Sequence, residues 1–184
     1  MWHGARTLAG AFSLACLLSL ASCVSAPARY SAREIELYDQ AYGLYAQQKY
    51  QDALAILDRL LEANPKNEYA FRLRSMVEWV TDKPQSAITD LIAAQAINPR
   101  SAIISYNLGC VYESVGMPDK AVAAYTAAIK ADPAFAHAWL NRANAYMRLG
   151  DRKAALSDYK KFVTLSSEQK DDIQALIDKL QDGP

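Results

Sequence analysis

The chain repeats itself every 34 residues, and this period narrows the possible folds more than any other feature. Four units align without a gap, at residues 34–67, 68–101, 102–135 and 136–169. In every unit position 20 is alanine, position 8 is small and position 24 is large. These residues are Ala53, Ala87, Ala121 and Ala155 at position 20, Ala41, Ser75, Gly109 and Ala143 at position 8, and Leu57, Leu91, Tyr125 and Tyr159 at position 24. A period of this length is typical of units that bury their apolar faces only against their neighbours, so we expect one continuous stack.

Each unit is predicted to be a pair of helices. Small residues at positions 8 and 20 let two helices approach closely, and the larger residues fill the space around them. Pro65, Pro99 and Pro133 stand at position 32 and should end the second helix, because the residue before proline avoids helical geometry. Pro84 and Pro118, at position 17, suit the first turn of that helix.

The last two units carry further residues in a recognisable order. These are Leu108, Gly109, Tyr112, Gly116, Ala121, Tyr125, Ala128 and Pro133 in the third unit, and Trp139, Ala143, Tyr146, Gly150, Ala155 and Tyr159 in the fourth. The pattern resembles the tetratricopeptide repeat (TPR) family. The resemblance implies an all-α fold, a right-handed superhelical solenoid of four TPR helical hairpins. Glu78 and Ser105 depart from the family pattern, in which a buried tyrosine and a tryptophan are usual at those places.

Sequence signals mark both ends of the predicted solenoid. Ser31 followed by Glu34 is a capping box that should start the first helix, and Ser166 followed by Gln169 should start one more helix after the fourth unit. Residues 170–184 are assigned to a capping helix and tail. Their apolar stripe consists of Ile173, Leu176, Ile177 and Leu180. The stripe is expected to cover the open end of the stack; the alternative is that it receives a partner helix.

The N-terminus reads as a targeting segment. The apolar run from Leu8 to Leu20 carries no charge, and its 13 residues fall short of the roughly 20 that span a bilayer as a helix. Leu20-Ala21-Ser22-Cys23 resembles the lipobox of bacterial lipoproteins. The resemblance implies that residues 1–22 are a signal peptide and that Cys23 becomes acylated and attaches the chain to a bilayer. The alternatives are an ordinary signal peptide cleaved after Ala21, which would leave Cys23 free, and a membrane-spanning anchor.

Residues 23–33 then form the lipidated cysteine and a short tether. Val24, in place of aspartate, resembles the sorting signal for the outer membrane in enteric-type bacteria. We therefore expect a lipid-anchored protein of the bacterial cell envelope. If the source bacterium has two membranes, we expect the protein on the outer membrane, facing the periplasm. If it has one membrane, we expect the protein to face outside the cell.

The composition excludes several classes of function. Without residues 1–22 the chain has 19 basic and 20 acidic side chains, a balance that does not favour nucleic acid. The sequence contains no spaced set of metal ligands, no phosphate-binding loop and no nucleophile motif. Cys110 is the only cysteine besides Cys16 and Cys23, and we interpret it as a packing residue. We therefore predict no enzyme activity, no metal and no cofactor.

The TPR resemblance implies a concave groove lined by positions 2, 5, 6, 9, 12 and 13 of each unit, which lie on its first helix. The candidate partner-binding residues are aromatic in the first two units and include amides in the last two: Tyr38, Tyr42, Tyr45, Tyr69, Arg72, Met76, Trp79, Tyr106, Asn107, Asn141, Asn144 and Arg148. Tyrosine and tryptophan combine a large contact area with a polar handle, and asparagine amides both donate and accept hydrogen bonds. We predict an aromatic pocket that leads into an amide-lined groove. The alternative is that these rings belong to the core or to a dimer contact.

Three functions remain open at this point. The first is a membrane-anchored scaffold or adaptor that binds a peptide or protein in the groove. The second is a transport-accessory lipoprotein that binds a small hydrophobic ligand in the aromatic half of the groove. The third is a homodimer that occupies its own groove.

Overall fold

The computed structural model describes residues 30–182, and that part of the chain forms nine α-helices and no strand. The helices are α1 (Ala32–Ala46), α2 (Tyr50–Ala63), α3 (Glu68–Val80), α4 (Pro84–Ile97), α5 (Ala102–Ser114), α6 (Pro118–Ala131), α7 (Ala136–Leu149), α8 (Arg152–Leu165) and α9 (Lys170–Asp182). Each helix packs against the next one along the chain. The predicted all-α solenoid of helical hairpins is confirmed.

The predicted start and stop signals act locally. The Ser31 hydroxyl accepts a hydrogen bond from the Glu34 backbone N–H, and the Glu34 carboxylate accepts one from the Ser31 N–H, so the capping box forms. Pro84 and Pro118 occupy the first positions of α4 and α6. The helices before the position-32 prolines end two residues earlier, at Ala63, Ile97 and Ala131.

Small residues let the two helices of each unit meet. The four alanines at position 20 are completely buried, as are Ala41 and Ala143 at position 8. Gly109 occupies position 8 of the third unit, where an added Cβ would lie 2.4 Å from Cε1 of Tyr125. The Tyr125 ring therefore fills the space that a side chain at residue 109 would need.

The start of the last helix differs from the prediction. The Ser166 hydroxyl accepts from the Glu168 N–H two residues later and so closes a turn instead of capping a helix. Gln169 has a left-handed backbone conformation (φ 51°), and α9 begins only at Lys170. The predicted helix start at Ser166 was wrong, because the serine bonds locally within the turn. Ile173 and Ile177 of α9 pack in one cluster with Tyr159 and Phe162 of α8.

A bidentate ion pair recurs two units apart. Arg74 donates through Nε and Nη2 to both carboxylate oxygens of Asp90, at 2.7 and 2.8 Å, and Arg142 donates to Asp158 in the same way, at 2.7 and 2.9 Å. The remaining Nη1 group of Arg74 donates to Asp58, and that of Arg142 donates to Thr126. Each guanidinium thus joins the second helices of two successive units.

Glu78 lies beside the first of these ion pairs, at the place where the family usually has tyrosine. Burial, followed by the nearby Asp90 carboxylate, raises the pKa of Glu78 to about 7. The native state therefore holds a proton on Glu78 at pH values where the unfolded chain, with its ordinary pKa of 4.5, has lost it. Ionising Glu78 in the folded chain thus costs stability, and this loss develops as the pH rises from about 4.5 past 7.

We expect Glu78→Gln to flatten the pH dependence of stability, because glutamine carries no charge at any pH. Urea unfolding at pH 5 and pH 8 should show a larger drop in the free energy of unfolding for the wild type than for the variant. Glu62→Gln, which removes an exposed acid on α2, is the matched control. Parallel wild-type and Glu78→Gln profiles would contradict the assignment.

Candidate protein-interaction groove

The first helices of the four units, α1, α3, α5 and α7, carry the predicted groove residues. At the N-terminal end three tyrosine rings contact one another in series. The ring of Tyr69 meets Tyr30 edge to face at 5.6 Å between centroids, and Tyr38 at 6.2 Å. The guanidinium of Arg72 lies 5.2 Å from the centre of the Tyr69 ring. We call Tyr38, Tyr69 and Arg72 the aromatic slot.

A second row of rings follows along the first unit. Tyr45 lies between Tyr42 and Tyr50, with centroids 6.4 and 6.0 Å away. Tyr42 leaves 39 % of its surface exposed, and the apolar Ile35 and Val80, also at predicted groove positions, are exposed as well. This end of the structure therefore offers apolar and aromatic surface, as the sequence predicts.

The middle of the groove links the second unit to the third. The indole N–H of Trp79 donates to the hydroxyl of Ser114 at 3.1 Å, and its ring packs against core residues of α5 and α6. Met76 is buried. Trp79 thus serves the contact between units, which agrees with the alternative that some of the candidate rings belong to the core.

Tyr106 and Asn141 were predicted to face the groove, but the structure engages them with each other. The Tyr106 ring is buried, 4.7 Å from the ring of Phe135 and 5.8 Å from that of Tyr125. The Asn141 side-chain amide donates to the Tyr106 hydroxyl at 3.1 Å and contacts the Cys110 sulfur at 3.8 Å. Their polar groups hold α5 to α7, so the expectation that they offer free groups to a partner is corrected.

Asn107 and Asn144 keep hydrogen-bonding capacity. Asn107 is buried, and no side-chain hydrogen bond joins it to another residue within 30–182. Asn144 accepts from the Tyr159 hydroxyl at 2.6 Å through its carbonyl oxygen. The amide of Asn107 is not among the fully buried polar atoms that lack a hydrogen bond, so it can still exchange its bonds to water for bonds to a ligand. Asn107 is the better candidate of the two.

Glu113 stands at a predicted groove position of α5, although it was not among the selected partner-binding candidates. Glu113 is buried, accepts from the Tyr125 hydroxyl at 3.0 Å and pairs with Arg148 at 3.4 Å. Burial raises the pKa of Glu113. The burial of Tyr159, followed by the charge of Glu113, raises the pKa of Tyr159 to about 12. Arg148 keeps just over half of its side chain exposed.

The sequence did not predict the contacts that Tyr30 and Glu113 make. Tyr30 looked like part of the tether, yet its ring packs against Tyr69. Glu113 stands at position 12, and this predicted groove position is the sequence feature that could have identified it as a site residue. The Tyr30 ring reaches the second unit, and Glu113 pairs with Arg148 of the fourth, so both contacts depend on how successive units are placed.

The lipobox with Cys23 lies outside the described residues, and so does the apolar run from Leu8 to Leu20. Within the described part, no helix is long and apolar enough to cross a bilayer. Residues 30–182 also contain no group of three or more His, Cys, Asp or Glu side chains able to hold a metal ion. The arrangement offers surfaces for contact, with rings at one end and amides, Glu113 and Arg148 at the other.

A stack of 34-residue helical hairpins, in which the first helix of each hairpin lines a common groove, defines a class of helical-repeat proteins. A tetratricopeptide repeat family model matches residues 38–102 and 106–169. The chain belongs to the tetratricopeptide repeat family.

Two curated relatives match parts of the chain. It is 42% identical over 62 residues to serine/threonine-protein phosphatase T of Trypanosoma brucei brucei, covering 34% of this chain and 13% of that protein. It is 30% identical over 105 residues to tetratricopeptide repeat protein 6 of Homo sapiens, covering 57% of this chain and 20% of that protein. The chain spans a fifth or less of the length of these relatives.

Solved structures share the fold. A crystal structure of MamA superposes with a TM-score of 0.68 at 26% identity, covering 92% of this chain and 94% of that one. A tetratricopeptide repeat protein from Parabacteroides merdae superposes with a TM-score of 0.72 at 20% identity, covering 82% and 61%. An O-GlcNAc transferase of Thermobaculum terrenum matches at a TM-score of 0.65, but this chain covers 27% of it. The shared part is the helical-repeat scaffold, which supports a protein-interaction function.

Proposed function

We propose that this protein is a lipid-anchored adaptor of the bacterial cell envelope that binds an extended peptide or a protein segment in its TPR groove. The observation that carries the proposal is that two predicted groove positions keep binding capacity: Tyr42 on α1 is exposed, and the side-chain amide of Asn107 on α5 makes no hydrogen bond within residues 30–182. A tyrosine ring supplies contact area, and a free amide can bond to a peptide backbone. We also propose that the chain does not catalyse a reaction.

The groove is tested by a capture experiment. Residues 24–184 serve as bait for solubilised envelope proteins, because every helix described lies within 30–182. We expect Tyr42→Ala combined with Asn107→Ala to lose the captured protein, with affinity reduced tenfold or more, since a buried tyrosine contact and an amide each contribute about 1 kcal/mol or more.

Ile92→Ala is the matched control for this experiment. Ile92 is an exposed apolar residue on α4, a second helix of its unit, and its loss should leave capture unchanged. If the double variant captures the same protein as the wild type, recognition lies outside the groove. Light scattering on the same bait tests the homodimer hypothesis.

The anchor is tested by acyl labelling in a bacterial host. We expect radiolabelled palmitate to enter the wild-type protein and to be absent from Cys23→Ser, because the thiol is the acceptor of the diacylglyceryl group in the lipoprotein family. Cys16→Ser removes a cysteine within the signal peptide and should label normally. Labelling that survives Cys23→Ser would contradict the proposed anchor and its place in the envelope.

A further inference from the structure

Tyr30, two residues before α1, already occupies the N-terminal end of the groove. Tyr30 precedes the N-cap Ser31, and a hydrophobic residue at that place commonly packs on its own helix, four residues into it. Here its ring meets Tyr69 of α3 in the second unit, at 5.6 Å and an interplanar angle of 82°. Edge-to-face pairs of this kind are favourable beyond the area they bury.

The contact lies within the aromatic slot. Tyr69 stands at position 2 of its unit, and Tyr38 and Arg72 stand at position 5, all of which are positions that face the TPR groove. The Tyr69 ring contacts the rings of both Tyr30 and Tyr38 and lies under the guanidinium of Arg72. A ring that takes the place of Tyr30 therefore meets the Tyr69 ring, which is itself held by the Tyr38 ring and by the buried guanidinium of Arg72.

The helix start that follows Tyr30 holds the residue in place. The reciprocal hydrogen bonds between Ser31 and Glu34 fix the backbone next to Tyr30. A side chain tethered this closely competes with any free ligand at an effective concentration on the order of millimolar. Any partner that uses the slot must displace it.

We propose that the aromatic slot recognises an aromatic side chain presented by an extended segment, and that Tyr30 is the intramolecular occupant which a partner displaces. This inference rests on the proposed groove function and deepens it: it names an aromatic residue of the partner as the determinant at this end. It also makes Tyr30 an autoinhibitory residue, since its departure opens the slot.

The test uses the chain's own segment as the probe. A capped peptide with the sequence of residues 24–33, Val-Ser-Ala-Pro-Ala-Arg-Tyr-Ser-Ala-Arg, is titrated into residues 24–184, and the peptide's tyrosine resonances are followed by NMR. We expect Tyr30→Ala to bind the peptide at least tenfold more tightly than the wild type. A peptide with alanine in place of tyrosine should not bind, and Tyr69→Ala in the Tyr30→Ala background should abolish binding.

Three results would overturn the proposal: equal binding by wild type and Tyr30→Ala, equal binding of the alanine peptide, or no binding by Tyr30→Ala at millimolar peptide. Tyr30→Phe keeps the ring and should behave as the wild type, while circular dichroism checks that each variant is folded. Failure of envelope capture with successful peptide binding would refute the proposed function and leave the slot standing. The reverse pair of results would refute the slot alone.

Discussion

Replacing Asp158 with alanine lowers the free energy of unfolding by about 3 kcal/mol, the cost of leaving a buried charge without its partner. Asp158 is only 5% exposed at its side chain and Arg142 only 13%. Both carboxylate oxygens accept from the guanidinium, which also lies 5.0 Å from the Trp139 ring. The variant therefore leaves the Arg142 guanidinium without its carboxylate partner, although its contacts with α7 and the preceding unit keep it in place. Urea unfolding at neutral pH measures the loss.

Asp58→Ala is the matched control for this prediction. Asp58 also binds a repeat arginine, Arg74 at 2.7 Å, but its side chain is 56% exposed. Exposed pairs contribute about 0–1 kcal/mol, because water solvates the charges when the partner is lost. The double variant Arg142→Met with Asp158→Leu should recover much of the stability, since it removes both charges. An Asp158→Ala loss no larger than that of Asp58→Ala would contradict the buried-pair interpretation.

The repeat period made the helices predictable because it reports contacts within one unit. Buried alanine at position 20 and the position-32 prolines act over a few residues or between the two helices of a hairpin. The sequence reasoning failed where a residue chooses between a local and a distant partner. Ser166 closes a turn instead of capping a helix, because its hydroxyl bonds to the Glu168 N–H, only two residues away.

Groove chemistry was harder to predict because it depends on the displacement between units. Tyr106 meets Asn141 and Trp79 meets Ser114, and both pairs lie 35 residues apart. This spacing is one residue more than the repeat, so each pair joins neighbouring positions of successive first helices. The period alone does not tell whether an asparagine at position 6 will bond to the previous unit, as Asn141 does, or stay available, as Asn107 does.

Gly109→Ala destabilises the chain by about 2 kcal/mol, because overpacking of a close helix contact commonly costs 1–3 kcal/mol. The new Cβ would lie 2.4, 2.6 and 2.9 Å from three ring atoms of Tyr125. That ring cannot move aside freely, since it is completely buried and its hydroxyl donates to Glu113. The clash therefore outweighs the roughly 1 kcal/mol that alanine gains over glycine inside a helix.

Gly43→Ala provides the opposite expectation within the same fold. Gly43 lies inside α1, and an added Cβ there meets no atom within 4 Å. Alanine should therefore stabilise the chain by about 0.5–1 kcal/mol through helix propensity and the smaller entropy of the unfolded chain. Thermal unfolding of the two variants should move the midpoint in opposite directions from the wild type. If both variants shift the midpoint in the same direction, the Tyr125 ring does not fill the contact between α5 and α6. That result would contradict the close-approach explanation for the small residue at position 8 of the third unit.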